Sequence, residues 1–162
     1  MHEFDDVLER EVVSLDKVDK KILDILQVDA RSSASYMAEK VGMSVPAVAD
    51  RIKKLQDSAV ITGFTTMLNH RKVGLDVSAF ITVISESSSH YSEVVKKTNS
   101  SPEILQCFTT TGNGSHVLLA LVKDTYSLEK LLRKIQSWPG VMRTETQIIL
   151  SSYKGINPVL IP

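Results

Sequence analysis

The chain has 162 residues, 43% hydrophobic and 23% charged, the make-up of an ordinary globular protein. No apolar run approaches the roughly 20 residues needed to span a bilayer. The opening Met1-His2-Glu3-Phe4-Asp5-Asp6 is acidic where a secretory leader would be basic, and the one cysteine, Cys107, cannot close an internal disulfide, so the expected location is cytoplasmic with no membrane partner.

A net charge of zero conceals an uneven distribution. Residues 1–14 hold five acids against Arg10, giving −4. Residues 15–72 hold ten bases against seven acids, giving +3, and residues 73–162 hold eight against seven, giving +1. The middle segment is mildly basic and follows an acidic extension over 1–14.

Phe4, Val7, Leu8 and Val12 share one helical face, so a short helix is predicted over 4–12. Asp16 reads as an N-cap for an amphipathic helix carrying Val18, Ile22, Ile25 and Leu26 and ending near Val28. After the polar break Asp29-Ala30-Arg31-Ser32-Ser33, which ends in a serine cap, a short helix with Met37, Ala38 and Val41 inward stops at Gly42. Ser44 caps a third helix whose apolar positions are Val48, Ile52 and Leu55. Pro46 is tolerated there because first-turn amides lack intrahelical acceptors. Val60 to Leu68 turns to β-branched and aromatic residues and reads as a strand or wing. Residues 69–77 are the expected linker, placing a first domain at 15–68 and a second at 78–162.

The second domain alternates strand and helix. Phe80 to Ile84 is a strand, followed by the polar loop Ser85-Glu86-Ser87-Ser88-Ser89 and a helix marked by Tyr91, Val94 and Val95 that ends near Asn99. Ile104 to Thr110 is the second strand, and Asn113-Gly114 signals a tight hairpin into the third, Val117 to Val122. Leu128, Leu131, Leu132 and Ile135 define a helix ended by Trp138-Pro139-Gly140, and Val141 to Leu150 is the last strand. This order, βαββαβ, is that of a ferredoxin-like sandwich with both helices on one sheet face. The bare face calls for a partner, and a second copy of the chain is the simplest one.

The segments 34–41 and 45–57, joined by Gly42-Met43-Ser44, carry the main functional signal. A glycine in a short turn between two amphipathic helices is the helix-turn-helix arrangement. Ile52 and Leu55 fall about 40° and about 20° to either side of Val48 on the third helix, leaving Pro46, Ala47, Asp50, Lys53 and Lys54 on the opposite side and Arg51 on the flank. Small residues near its start let that helix approach base edges, while Arg51, Lys53 and Lys54 reach phosphates. The expected DNA-facing set is therefore Ser44, Val45, Pro46, Ala47, Asp50, Arg51, Lys53 and Lys54. A small bundle with a solvated charged face is the alternative.

An ordered set of residues resembles the Lrp/AsnC, or feast/famine, regulators. It runs from Leu15-Asp16-x-x-Asp19-x-x-Ile22-Leu23 through Asp29-Ala30-Arg31-x-Ser33 and Met37-Ala38-x-x-Val41-Gly42-Met43-Ser44 to Val48-x-x-Arg51-Ile52-x-x-Leu55. Val60-Ile61-x-Gly63-Phe64, Pro139-Gly140-Val141 and Thr144-x-Thr146-x-Ile148 complete it. The resemblance implies an α+β chain, an N-terminal winged helix-turn-helix domain joined to a C-terminal βαββαβ ferredoxin-like sandwich. It also implies a DNA-binding transcription regulator, not an enzyme, without cofactor or metal, whose homodimers assemble to tetramers or octamers. A small-molecule effector, an amino acid in the family, would bind at Gly112, Asn113, Gly114, Ser115 and His116. Two departures stand out. Ala59 replaces a usual glycine after the third helix, and Gly114-Ser115 replaces a usual aromatic and aspartate, so ordinary amino acids are expected to bind weakly or not at all.

Three other readings compete. Ser87-Ser88-Ser89-His90-Tyr91 sets hydroxyls beside an imidazole, as nucleophilic catalysis would, yet adjacent side chains rarely face one another. A tetrapyrrole-binding decarboxylase of the same two-domain fold would use His90 and His116, but no arginine cluster accompanies them. A dimerisation module that has lost DNA binding is the third. His2, His70, His90 and His116 lack paired ligand spacing.

Overall fold

The computed structural model describes residues 12–162; the short helix expected over 4–12 lies outside the described residues except for its last position. The chain divides into two compact units. One comprises the chain through Thr66 together with Lys154–Pro162, the other Met67–Tyr153.

The first unit holds α1 (Lys17–Val28), α2 (Ala34–Val41) and α3 (Val45–Asp57). Each begins at the cap its sequence promised. The Asp16 carboxylate accepts from the amides of Val18 and Asp19, Ser33 accepts from Tyr36, and Ser44 accepts from Ala47. Gly42 closes α2 at φ 71°, a left-handed conformation available to it without a Cβ clash. Helices of 8–13 residues are marginal alone in water. Their stability comes from a shared core in which Ile22 and Val48 are fully buried and Leu23, Leu26, Met37, Ala38 and Leu55 nearly so. Each large side chain buried there contributes about 1.5–3 kcal/mol.

Two features of this unit differ from the expectation. Residues 60–68, predicted as a strand or wing, have no ladder partner among the described residues. Val60 and Ile61 pack against the helical core, and from Thr62 onward the side chains are exposed, Phe64, Met67 and Leu68 among them. The tail over 154–162, assigned from sequence to the second domain, instead packs with the helices. Ile161 lies against the helical core. The Gln27 side chain grips the Val159 backbone, its Nε2 donating to Val159 O at 3.2 Å and its Oε1 accepting from Val159 N at 2.6 Å. Lys20 Nζ donates to Pro162 O.

The second unit is a four-stranded antiparallel sheet in the order β2-β3-β1-β4, made of β1 (Val77–Ser85), β2 (Ile104–Thr109), β3 (His116–Val122) and β4 (Val141–Ile148). α4 (Tyr91–Asn99) and α5 (Thr125–Gln136) cross over between strands, giving the expected ferredoxin-like βαββαβ chain order. Ala79, Ile81 and Val83 of β1 and Leu118, Ala120 and Val122 of β3 form one core with Val94 of α4 and Leu128, Leu131 and Ile135 of α5. Strand alternation turns the intervening residues to the other face. There Phe80 pairs with Leu119 and Thr82 with Val117, and Phe108 pairs with Val117 from the other side. Phe80 and Phe108 are 40% and 45% exposed. The expected linker over 69–77 is folded onto this unit: Asn69 caps a 3-10 turn over His70–Val73, closed by Gly74 at φ 83°.

The β2–β3 connection is not the tight two-residue hairpin that Asn113-Gly114 suggested. Thr109 pairs with His116, so residues 110–115 form the loop. The Asn-Gly turn requires positive φ at both positions, whereas here positive φ belongs to Gly112, at 106°. Gly114 is needed for a different reason. A Cβ there would lie 2.2 Å from Thr82 Cγ2 and 3.3 Å from Val83 O.

Candidate nucleic-acid interface and effector loop

α2, the Gly42 turn and α3 set the geometry of the first candidate site. Val48 and Leu55 anchor α3 in the core, which turns Val45, Pro46, Asp50, Lys53 and Lys54 into solvent and leaves Ala47 half-buried. Ser44 is exposed, but its hydroxyl accepts from Ala47 N at 3.4 Å and so serves the cap. Lys53 forms an ion pair with Asp57 at 3.0 Å on the exposed face, an interaction of little net worth in water. Lys54 makes no ion pair among the described residues. Proline near the start of α3 and the small residues around it keep the approach to the helix N-terminus shallow.

Arg51, expected to reach phosphate, is paired within the helical unit. Its Nη1 lies 2.6 Å from Asp16 Oδ2 and 2.8 Å from Asp19 Oδ1. Hydrogen bonds from the guanidinium to these carboxylates raise its pKa, and the Asp19 amide together with Arg51 lowers that of Asp16. Composition and spacing put Arg51 on the flank of α3; they could not show that two acids 32 and 35 residues away would occupy it. Sequence reasoning also passed over exposed residues beside the face: Ala49 and Gln56 on α3, and Ser35 and Tyr36 on α2. Tyr36 carries Lys40 Nζ 5.3 Å from its ring centroid. The signal that points to α2 is the docking rule that the first helix of such a pair crosses the phosphate backbone.

The loop singled out for effector binding divides in two. Gly112 and Asn113 are exposed at its tip, Gly114 is half-buried, and Ser115 and His116 turn inward at 7% and 1% exposure. Ser115 is anchored to β1: its amide donates to Val83 O at 2.9 Å, and its Oγ lies 3.2 Å from the same carbonyl. Ser85 Oγ at 2.8 Å and His116 Nδ1 at 2.9 Å also reach Ser115 Oγ. Val83 O can only accept, so the Ser115 proton goes there, and Ser85 and His116 Nδ1 donate to Ser115 Oγ. This assigns the neutral Nδ1–H tautomer to His116, whose buried Nε2 has no partner among the described residues. Burial lowers the His116 pKa, in keeping with a neutral ring packed edge-on to Tyr91 at 4.9 Å. Ser115 and His116, both named as effector-binding candidates, are buried and hydrogen-bonded where the loop meets β1. The alternation of β3 about Leu118 is the sequence feature that turns His116 into the core.

The remaining candidates do not converge. Ser87 and Ser89 pair through their hydroxyls at 2.6 Å, while the His90 ring lies where a Cβ on Gly140 would come within 2.2–2.5 Å of it. No nucleophile–base pair is assembled in that stretch. Cys107 is half-buried and its thiol pKa is raised by burial. Among the described residues no three His, Cys, Asp or Glu side chains gather as a metal site, and no helix is long and apolar enough to cross a membrane.

Residues 15–56 match the AsnC-type helix-turn-helix domain and residues 77–159 the Lrp/AsnC ligand binding domain. The chain is 34% identical over 142 residues to the HTH-type transcriptional regulator FL11 of Pyrococcus horikoshii, covering 88% of this chain and 93% of that one. It is 34% identical over 148 residues to the regulatory protein AsnC of Haemophilus influenzae, covering 91% and 95%. A Neisseria meningitidis transcriptional regulator solved with L-Met superposes with a TM-score of 0.85 at 27% identity, over 91% of this chain and 97% of that one.

Proposed function

Since the chain belongs to the Lrp/AsnC family of helix-turn-helix transcriptional regulators, we propose that it binds double-stranded DNA as a two-fold dimer, α3 of each copy entering the major groove. The observation that carries this reading is α3 itself, its apolar stripe sunk in the core and its N-terminus and lysine face open to solvent. Lys53 and Lys54 contact phosphate, and Val45, Pro46 and Ala49 lie closest to base edges. The dimer forms through the apolar sheet face of Phe80, Phe108, Val117 and Leu119, and further pairing of dimers builds the tetramer or octamer.

The test is a salt-dependent binding titration on fragments selected from random DNA. Each site should be a pseudo-palindrome with half-sites about one helical turn apart. Lys54→Ala should weaken binding to all sequences and flatten the slope of log K against log salt by about one for each phosphate no longer neutralised. Lys53→Glu/Lys54→Glu binding as tightly as the parent would place another surface in the groove.

For the effector, the relative solved with L-Met supports a ligand of the amino-acid class. In this chain the residues exposed to meet it are Gly112 and Asn113, and Ser115 and His116 act behind them by holding the loop to β1. A neutral latch lacks the carboxylate that would pair with a ligand's ammonium group, so L-methionine binds weakly. Calorimetric titration with L-methionine decides it: tight binding unaffected by Asn113→Ala would remove this loop from the response.

A further inference from the structure

The tie between α3 and α1 has no role in the DNA-binding scheme proposed above. Asp16 and Asp19 form a reciprocal cap, and each divides its two carboxylate oxygens between two tasks. Asp16 Oδ1 accepts from the amides of Val18 and Asp19, both at 2.8 Å, while its Oδ2 binds Arg51. Asp19 Oδ2 accepts from the Asp16 amide at 3.2 Å, while its Oδ1 binds Arg51. The guanidinium on the recognition helix is thereby keyed to the first turn of α1, and α1 cannot turn under it without giving up its cap.

Two physical arguments separate this arginine from the DNA-contacting lysines. The cluster of Arg51 with Asp16 and Asp19 carries a net charge of −1, so it repels a phosphate, and a phosphate would have to displace two carboxylates to reach Nη1. The apolar stripe of α3 is narrow, and a narrow stripe resists sliding better than rolling about the helix axis. Arg51 lies about 60° to the side of Val48 at 100° per residue, where an ionic tie opposes that roll. Direct readout requires side chains held within about 0.5 Å of their working geometry, so the roll of α3 matters to specificity.

We propose that Arg51 is a positioning residue for DNA recognition, fixing the rotation of α3 against α1 through Asp16 and Asp19 and touching no DNA itself. This rests on the DNA-binding reading above.

The experiment compares the full chain with Arg51→Gln and with Asp16→Asn/Asp19→Asn, at a temperature where circular dichroism finds every variant folded. Asparagine caps a helix as well as aspartate does, so the double variant can keep its capping oxygens while the second oxygen of each, the acceptor for Arg51, becomes an NH2 donor and the negative charge is lost. Binding is measured over a salt series to a fragment selected from random DNA by the parent protein and to an unrelated fragment. Both variants should lose about tenfold in preference for the selected fragment over unrelated DNA, the scale of one base contact. A change in local charge shifts affinity for both fragments alike, so this ratio is the readout, and Arg51→Gln should leave the salt slope unchanged. Arg51→Lys should recover part of the loss, since an ammonium can serve one of the two carboxylates well. The preference in the aspartate variant is decisive. If Arg51 touched phosphate, freeing it from the two carboxylates would strengthen binding with the preference for the selected fragment intact, and Arg51→Gln would flatten the slope by about one per subunit; either result overturns the proposal. Parent-like preference in both folded variants would also overturn it, reducing the tie to stability alone. Failure of the parent to prefer its selected fragment over unrelated DNA would instead defeat the underlying DNA-binding reading.

Discussion

Replacing Ala59 with glycine should stabilise the helical unit. Ala59 follows α3 at φ 55°, the one non-glycine residue with positive φ among the described residues. It sits where the chain leaves the helix: Ser58 N donates to Lys54 O at 2.9 Å, Ala59 N to Gln56 O at 3.0 Å, and Ile61 N to Leu55 O at 2.9 Å. A Cβ in the left-handed region costs roughly 1–2 kcal/mol. Glycine escapes that cost, but its freer unfolded chain gives back roughly 0.4–1 kcal/mol. Ala59 is exposed, so losing its methyl forfeits no packing. The balance favours glycine by about 0.5–1 kcal/mol, equivalent to a rise of about 2–8 °C in the midpoint of a unit this small. The only tryptophan, Trp138, is buried in the second unit and reports that unit alone, whereas far-UV circular dichroism registers the helices of both. The Ala59→Gly variant should shift the dichroism transition upward and leave the Trp138 transition in place. A helical midpoint that stays put or falls would refute the reasoning.

Gly114→Ala should destabilise the second unit by about 1–3 kcal/mol, since its Cβ would overlap Thr82 Cγ2; Thr82→Ser in the same chain should restore part of the loss in urea titrations followed by Trp138. Removing residues 154–162 should lower the helical unit's midpoint through loss of the Ile161 packing and the two Gln27–Val159 hydrogen bonds, worth about 0.5–1.5 kcal/mol each; an unchanged midpoint by dichroism would show that the tail holds nothing. Burial lowers the His116 pKa below its ordinary value of 6.5, so between the two values the unfolded chain binds more protons than the folded one. Stability of the second unit is therefore full above about pH 6.5 and falls as pH drops through the folded value. The Trp138 urea midpoint should be lower at pH 5 than at pH 7.5, and His116→Gln should remove most of that difference.

Much of this molecule could be read residue by residue because the physics involved is local. Caps at Asp16, Ser33 and Ser44, the stop at Gly42 and the apolar spacing of Val48, Ile52 and Leu55 each act within one or two helical turns, and the structure has helices where they point. The order of strands and crossover helices in the second unit was legible for the same reason. The family resemblance spans both units, and the matched domains cover 15–56 and 77–159.

What only the tertiary structure decided are choices of partner between residues far apart in the chain. Nothing near Arg51 in sequence says that it will meet Asp16 and Asp19; that follows from how α1 packs across α3. The Asn113-Gly114 signal gave way to a loop over 110–115 whose Ser115 amide donates to Val83 O on another strand, and the Thr82 methyl leaves no room there for a Cβ at 114. Ser115 stood out as an effector candidate, and only the fold shows that its hydroxyl meets the Ser85 hydroxyl and the Val83 carbonyl. The tail carries no periodicity that would assign it to either unit, and it joins the helices because Gln27 offers a donor and an acceptor to one backbone position. Local sequence sets which conformation a segment prefers, whereas long-range packing sets which of its polar groups find partners, and the function of each candidate site depends on the latter.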